Sequence, residues 1–449
     1  MQNVTLMIAG IAGVLILWLS PIYALIVYLA SAVWYPGYCT VKLGTIDFSV
    51  SRIVMMVLYV KILLGTDLVK RFRWIWLDKI MLIYFVAQIA ANIGTPSFSG
   101  LLENRAGAAF DMLLPYFAVR LIVQNRRQYL TLLKGVLIIA APLAIMGFYQ
   151  CVSGYNPVGF LRRFHAWSVR SVERGYMPRM RYGFYRADVT FPMSIMYGLF
   201  FAMLGPVCCG LLRVGGTKKL LYFAGVILMG IGVFASMSSG PYLAAVIAAM
   251  FIAFYPFRRY WKPVLGTIIV MSLLVEIVSN RHFYDVLCRF TLSASAGWYR
   301  SRLITVAFDG GMSGHWIAGF GYNMDPGWGP RIDGRAHTDL VNYFIEHLAR
   351  FGLIGFIPFI LMNVAVVKRL VDAAKASFYE SDKWLIWCLA GAFCGLGAAM
   401  MSVSLFGEPT TVYYLMMGFA GVMPNLVSRP ERTLYNSYAL QTAEGIIVI

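Results

Sequence analysis

Residues 334–355 read GRAHTDLVNYFIEHLARFGLIG. His337, Asp339 and Glu346 in this stretch are the candidates to take a proton from a hydroxyl nucleophile. A neutral imidazole titrates closest to neutral pH, so His337 is the first candidate base and Asp339 and Glu346 are the alternatives. Asp339, Asn342, Glu346 and Arg350 follow one another at spacings of three, four and four, which places them on one face of a helix. Leu340, Val341, Phe344, Ile345 and Leu348 take the other face. A polar stripe on a helix entering a bilayer must look into protein or water, because unpaired charge against lipid is costly. The simpler reading of the same spacing is an i,i+4 pair in which Glu346 and Arg350 neutralise each other.

Arginine is the second chemical signal. The stretch 151–188 holds Arg162, Arg163, Arg170, Arg174, Arg179, Arg181 and Arg186; the stretch 280–339 holds Arg281, Arg289, Arg300, Arg302, Arg331 and Arg335. Neither contains a lysine, although the chain has eleven elsewhere. This choice suggests a need for the planar guanidinium fork, which binds phosphate or diphosphate through paired, charge-assisted hydrogen bonds. Arg181, Arg186, Arg300, Arg302 and Arg335 are the candidate ligands of such an anion. The competing reading pairs these arginines with Asp285, Asp309, Asp325 and Asp333 or with anionic lipid headgroups. Trp298, Tyr299, Trp316, Phe320, Tyr322 and Trp328 crowd the second stretch, suited equally to stacking on sugar rings and to an interfacial belt. No cofactor or metal is expected. There is no P-loop, H-E-x-x-H or nucleophile elbow, GFGYN at 319–323 lacks the third glycine of a nucleotide fingerprint, and the seven cysteines form no C-x-x-C. Cys151 and Cys288 fall in the two long loops, where spacing alone does not establish a disulfide.

The elements that position these residues are membrane helices. Of 449 residues, 60% are apolar and 13% charged. Apolar segments run at 4–33, 46–65, 75–93, 106–123, 129–150, 189–212, 218–236, 241–256, 263–279, 340–367, 384–405 and 411–427. The expectation is an all-α polytopic membrane protein of about twelve transmembrane helices in one domain, 1–427, with a short cytoplasmic tail, 428–449. Pro21 divides the first segment, which is one broken span or two short ones. The opening MQNVTLMIAG has no basic n-region, so the first span is read as retained. Every second short loop is basic, around Lys70 to Arg73, Arg126 and Arg127, Arg213 to Lys219, Arg258 to Lys262, and Lys368 to Lys383. The positive-inside rule puts these five in the cytoplasm and loops 151–188 and 280–339 outside. The formal charge of +18 does not gather on a soluble domain, so nucleic acid is not expected as a partner.

Four motifs in order between residues 180 and 360 resemble the bacterial O-antigen ligase and polymerase superfamily. They are RADVTFPMSIMYG with Arg186 and Pro192, the serine turn SMSSGP at 236–241, WYRSRLITVAF followed by HWIAGFGYN, and AHTDLVNYFIEHLARFGLIG. Two departures stand out: Ser239 occupies the place of an arginine usual in the family's serine turn, and His337 precedes Gly352 by fifteen residues rather than twelve. The resemblance implies a metal-independent membrane glycosyltransferase of GT-C-like architecture in the bacterial inner membrane, with its site facing the periplasm. Its donor would be an undecaprenyl-diphosphate-linked glycan and its acceptor a glycan or the lipid A core, in contact with membrane lipids and other polysaccharide-assembly proteins. Arg186 with Arg300 or Arg302 would hold the diphosphate, and His337 would activate the acceptor hydroxyl. Polymerisation of repeat units is the leading reading, ligation of finished glycan to lipid A core the second, and a lipid-linked oligosaccharide transporter or flippase the reading from another class.

Overall fold

The computed structural model describes residues 2–43, 46–93, 95, 98–164, 179–214, 218–279, 282–288 and 294–427. Arg170, Arg174, Arg281, Arg289, the tail 428–449 and the side chains of Arg162, Arg163 and Cys288 lie outside the described residues.

The first apolar segment folds as two helices, α1 (Gln2–Trp18) and α2 (Pro21–Trp34). Proline is tolerated at a helix start, where its missing N–H has no partner to lose, and Pro21 stands at the start of α2 behind an extended Ser20. The two helices run back along each other as a hairpin, with Thr5 Oγ1 2.9 Å from Tyr35 OH. At the turn, Lys61 of α3 (Val50–Leu64) donates to the carbonyls of Ile16 and Leu17 at 2.8 and 2.9 Å and to that of Leu19, satisfying acceptors the ended helix leaves open. Between α2 and α3 lies the antiparallel pair β1 (Val41–Leu43) and β2 (Ile46–Phe48).

The chain continues through α4 (Thr66–Lys70), α5 (Trp76–Ala90), α6 (Phe98–Asp111), α7 (Leu113–Ile122) and α8 (Arg126–Ser153). Gly154, at φ 76°, ends α8 in the left-handed conformation and returns its N–H to Gln150 O at 2.9 Å. Cys151 therefore belongs to a helix rather than a loop, and it is a buried free thiol. A small hairpin, β3 (Met180–Arg181) and β4 (Phe184–Tyr185), turns at Tyr182 and Gly183, both at positive φ. Then come α9 (Ser194–Val214), α10 (Lys219–Ala235), α11 (Ser239–Ala253), a 3-10 turn at Tyr255–Tyr260, and α12 (Trp261–Val278). Short helices α13 (Phe283–Cys288), α14 (Ala294–Val306) and α15 (Gly329–Ile332) lead to α16 (Tyr343–Ala376), α17 (Glu380–Met400) and α18 (Glu408–Val427).

Among the described residues five helical stretches are long and apolar enough to cross a membrane: Arg126–Ser153, Ser194–Val214, Tyr255–Val278, Tyr343–Ala376 and Glu380–Met400. With the shorter apolar helices α1, α2, α10 and α11, this is consistent with an all-α membrane protein. Central to the bundle is α18, buried at every residue from Thr411 to Met423 and packed on α7, α9 and α16. Small residues allow the tightest crossing: Gly391 and Gly395 of α17 lie on Ala244 and Ala248 of α11, and a Cβ at Gly395 would fall 2.2 Å from the Ala244 carbonyl oxygen. In contrast, α12 buries none of its residues. One ion pair is sealed in the bundle. Asp78 of α5 accepts from Arg120 of α7 at 2.8 Å and from Tyr116 OH at 2.6 Å, with the two charged side chains 0% and 4% exposed.

Helix α16 begins at Tyr343, later than the sequence spacing suggests. Asn342 is its cap, accepting from the amides of Phe344 and Ile345 at 3.0 and 3.1 Å. Asp339, Leu340 and Val341 therefore precede the helix and do not share its faces. The expected polar stripe reduces to Glu346 and Arg350.

Candidate functional site

The arginines of the first long stretch are placed by the β3–β4 hairpin. Arg181 ends β3 and Arg186 follows β4, and both reach the serine turn between α10 and α11. Arg181 Nη1 donates to Met237 O at 3.0 Å, and Arg186 Nη2 donates to Ser238 Oγ at 2.9 Å. Ser238 passes its own proton to Ser236 O at 2.7 Å, which leaves its oxygen lone pairs to the guanidinium. The backbone docks alongside, Ala187 N to Ala235 O at 2.9 Å.

Arg300 of α14 arrives from another part of the chain. It is 7% exposed, and its Nε donates to Ser402 O at 2.9 Å in the turn joining α17 to α18. The same turn receives Asn342 Nδ2 at Met401 O, 2.9 Å, and sends Ser404 Oγ to Leu340 O. The start of α16 and the arginine are thus tied to residues 401–404 of the turn between α17 and α18. That turn also touches the serine motif, where a Cβ on Gly240 would come within 2.6 Å of Val403 Cγ2, and the segment before α9, where one on Gly407 would come within 3.3 Å of Pro192 Cγ. Arg181, Arg186 and Arg300 consequently stand on adjoining turns at one end of the bundle.

Two other expected anion ligands are directed elsewhere. Arg302 lies two residues beyond Arg300, about 200° around the helix, and its Nε turns to Arg331 O at 3.3 Å. Arg335 pairs with Asp333 at 3.0 Å and keeps 72% of its side chain exposed. Its charge, with that of Arg300, still acts on Asp339.

The three candidate bases occupy different surroundings. His337 has a side chain 93% exposed and stands 3.5 Å from Asp325, whose carboxylate accepts the amides of Gly327 and Thr338 at 2.8 and 2.9 Å. Asp339 donates its backbone N–H to Tyr299 OH at 2.8 Å. As a residue it stays exposed, yet the protein crowding its carboxyl desolvates it and pushes it above the usual carboxylate range. Arg335 and Arg300 oppose that shift without cancelling it. Glu346 pairs with Arg350 at 2.9 Å, as the i,i+4 spacing indicates, and is 14% exposed.

A break in α16 fixes this region to the loop before it. At Gly352 the backbone takes φ 55° and ψ −161°, and the residues on either side exchange hydrogen bonds with loop 316–321. Phe320 N donates to Ala349 O at 2.7 Å and Gly321 N to Arg350 O at 3.3 Å. In return Leu353 N and Ile354 N donate to the carbonyls of Trp316 and Ile317 at 2.8 and 3.1 Å. Neither side tolerates a Cβ: at Gly352 it would lie 2.3 Å from Ile317 O, and at Gly319 2.6 Å from Ala349 O. The GFG and GLIG runs are two halves of one backbone junction.

Two polar residues near this end were not singled out from sequence. His347 is buried, its Nδ1 2.8 Å from Tyr343 O. A proton on Nδ1 leaves Nε2 to accept from Tyr84 OH at 2.5 Å. Glu408 opens α18 beside Gly37 and is 8% exposed. Its sequence signal is isolation, for no other charged residue lies between Lys383 and Arg429. Compared with protein-family models and with curated protein sequences, the chain finds no match in either.

Proposed function

We propose that this protein is a membrane glycosyltransferase that moves a glycan from a polyprenyl diphosphate carrier to an acceptor hydroxyl at the periplasmic face, polymerising repeat units. The observation that carries the reading is the convergence of Arg181, Arg186 and Arg300, from two distant stretches, on the adjoining 236–238 and 401–404 turns. In such a transfer the acceptor oxygen bonds to the anomeric carbon as the bond from that carbon to the diphosphate breaks. Negative charge then grows on the leaving diphosphate, where fixed guanidinium groups stabilise it. The acceptor proton passes to a base. Asp339 is favoured over His337 and Glu346 because it lies within the electrostatic reach of Arg300, whereas Glu346 is paired with Arg350 and His337 stands exposed beside Asp325. Direct attack inverts the anomeric centre.

The same proposal includes an orientation. The α1–α2 hairpin adds a crossing, so the count becomes thirteen and the described N-terminal end lies outside, while all five basic loops keep the cytoplasmic side. Lys61 supports this by closing the α1–α2 turn at the end of α3 that leads to Lys70 and Arg71.

The test is product formation by purified protein from a carrier-linked glycan, read as a ladder on a gel. Arg186→Lys and Arg300→Lys should each lower turnover by about 100-fold, because an ammonium keeps the charge and loses the fork. Wild-type turnover in both variants rejects the proposal. Single transfer to a lipid A core without a ladder would instead identify ligation.

A further inference from the structure

At the end of α18 opposite the candidate site, about 30 Å away by helix rise, the bundle carries a solvent-open cavity of about 690 Å³. Its polar wall is one-sided in charge. Lys70, Arg71, Arg73 and Arg120 line it, and among the described residues no carboxylate does. Arg120 is compensated from behind by Asp78, and its Nη2 donates to Arg73 O at 2.8 Å, holding the Arg71–Arg73 segment against α7. Among the described residues no ion pair involves Lys70, Arg71 or Arg73. Asn425 of α18 lines the same cavity and carries an amide able to donate to an anion. Phe72 and Leu426 add apolar surface, and Trp74 and Trp76 nearby are 57% and 61% exposed, as aromatics at a bilayer surface are.

We infer that this cavity binds a phosphate-bearing ligand, its phosphate set between Arg71, Arg73 and Asn425. The positive-inside rule accounts for the basic loop but not for cations gathered around one cavity, with no carboxylate among its described lining residues and one cation fixed by a buried partner. The shared chemistry is the phosphate oxyanion, from an anionic phospholipid headgroup or from a soluble phosphate. The inference stands independently of the proposed transfer reaction.

The test uses the full chain in phosphatidylcholine nanodiscs. One arm adds phosphatidylglycerol and reads lipid retention by native mass spectrometry; the other titrates pyrophosphate calorimetrically. Arg71→Gln/Arg73→Gln is compared with Lys218→Gln/Lys219→Gln, which removes the same charge from the exposed start of α10. Asn425→Trp fills the cavity from the opposite wall and covers the case in which the arginine double variant unfolds. Loss of phosphatidylglycerol retention by about tenfold or more in the first double variant and in Asn425→Trp, but not in the lysine pair, supports a headgroup site. The same pattern with pyrophosphate alone supports a soluble phosphate. Equal losses in both double variants, or no retention of either probe by wild type, overturn the inference.

Discussion

Replacing Gly352 by alanine tests the junction that fixes the start of α16. At φ 55° and ψ −161° the backbone is in a region reserved for glycine, where a side chain costs about 1–3 kcal/mol. The new Cβ would also stand 2.3 Å from Ile317 O and 2.6 Å from Ala318 N, so the 316–318 backbone must shift and the bonds from Leu353 N to Trp316 O and from Ile354 N to Ile317 O are lost with it. At about 1 kcal/mol each, these bring the total to roughly 3–5 kcal/mol. Gly314→Ala is the matched control: its φ is 76°, but nothing lies within 4 Å of the added carbon, so only about 1 kcal/mol of backbone strain is expected. Thermal unfolding in detergent, scanned at one rate, reads both. At roughly 2 °C per kcal/mol, Gly352→Ala should fall by about 6–10 °C and Gly314→Ala by about 2 °C. Equal shifts, or an unshifted Gly352→Ala protein, would refute the locked junction.

Asp339→Asn should abolish turnover and with it the acid limb of the pH profile. A carboxyl held above its ordinary range is a base only once pH exceeds that raised value, so wild-type rate should climb with pH through it; an identical acid limb in the variant excludes this role. For stability the sign is opposite to that of a salt-bridged acid: the folded state keeps its proton longer, so stability declines as pH rises from the ordinary carboxyl pKa through the raised one, and Asp339→Asn should flatten that decline in a melting series. His337→Ala should change stability by no more than about 0.5 kcal/mol, given 93% side-chain exposure, so lost turnover at an unchanged melting point would assign the imidazole a chemical part and refute Asp339 as sole base. Asp78→Asn leaves the buried Arg120 without its partner and should cost about 3–5 kcal/mol; a melting point within error of wild type would show that the cavity it lines solvates the charge.

Helices, their apolar runs and the Glu346–Arg350 pair were legible because periodicity and i,i+4 spacing are local properties. The start of α16 was misread because Asp339 happens to continue the helical spacing; Asn342, an ordinary capping residue, was the better signal. Helical geometry also separates Arg300 from Arg302, a two-residue spacing that no single α-helical face accommodates. Glu408 was missed because its neighbour Gly37 is distant in sequence. The phosphate cavity was hidden for a related reason: its cations read as topology markers, and only packing shows Arg120 behind them.

Helix α12 buries none of its residues, so among the described residues no bundle helix sets its tilt by close packing. In the proposed orientation its 18 residues, about 27 Å by helix rise, answer to the bilayer alone. The segment it feeds carries Arg300 and Asp339, so hydrophobic mismatch there becomes tension or slack on one wall of the site. Membrane thickness is then an input to turnover. Reconstitution in short-chain and long-chain lipids should change the rate more than the melting point, and equal rates in both would show α12 to be a passive tether.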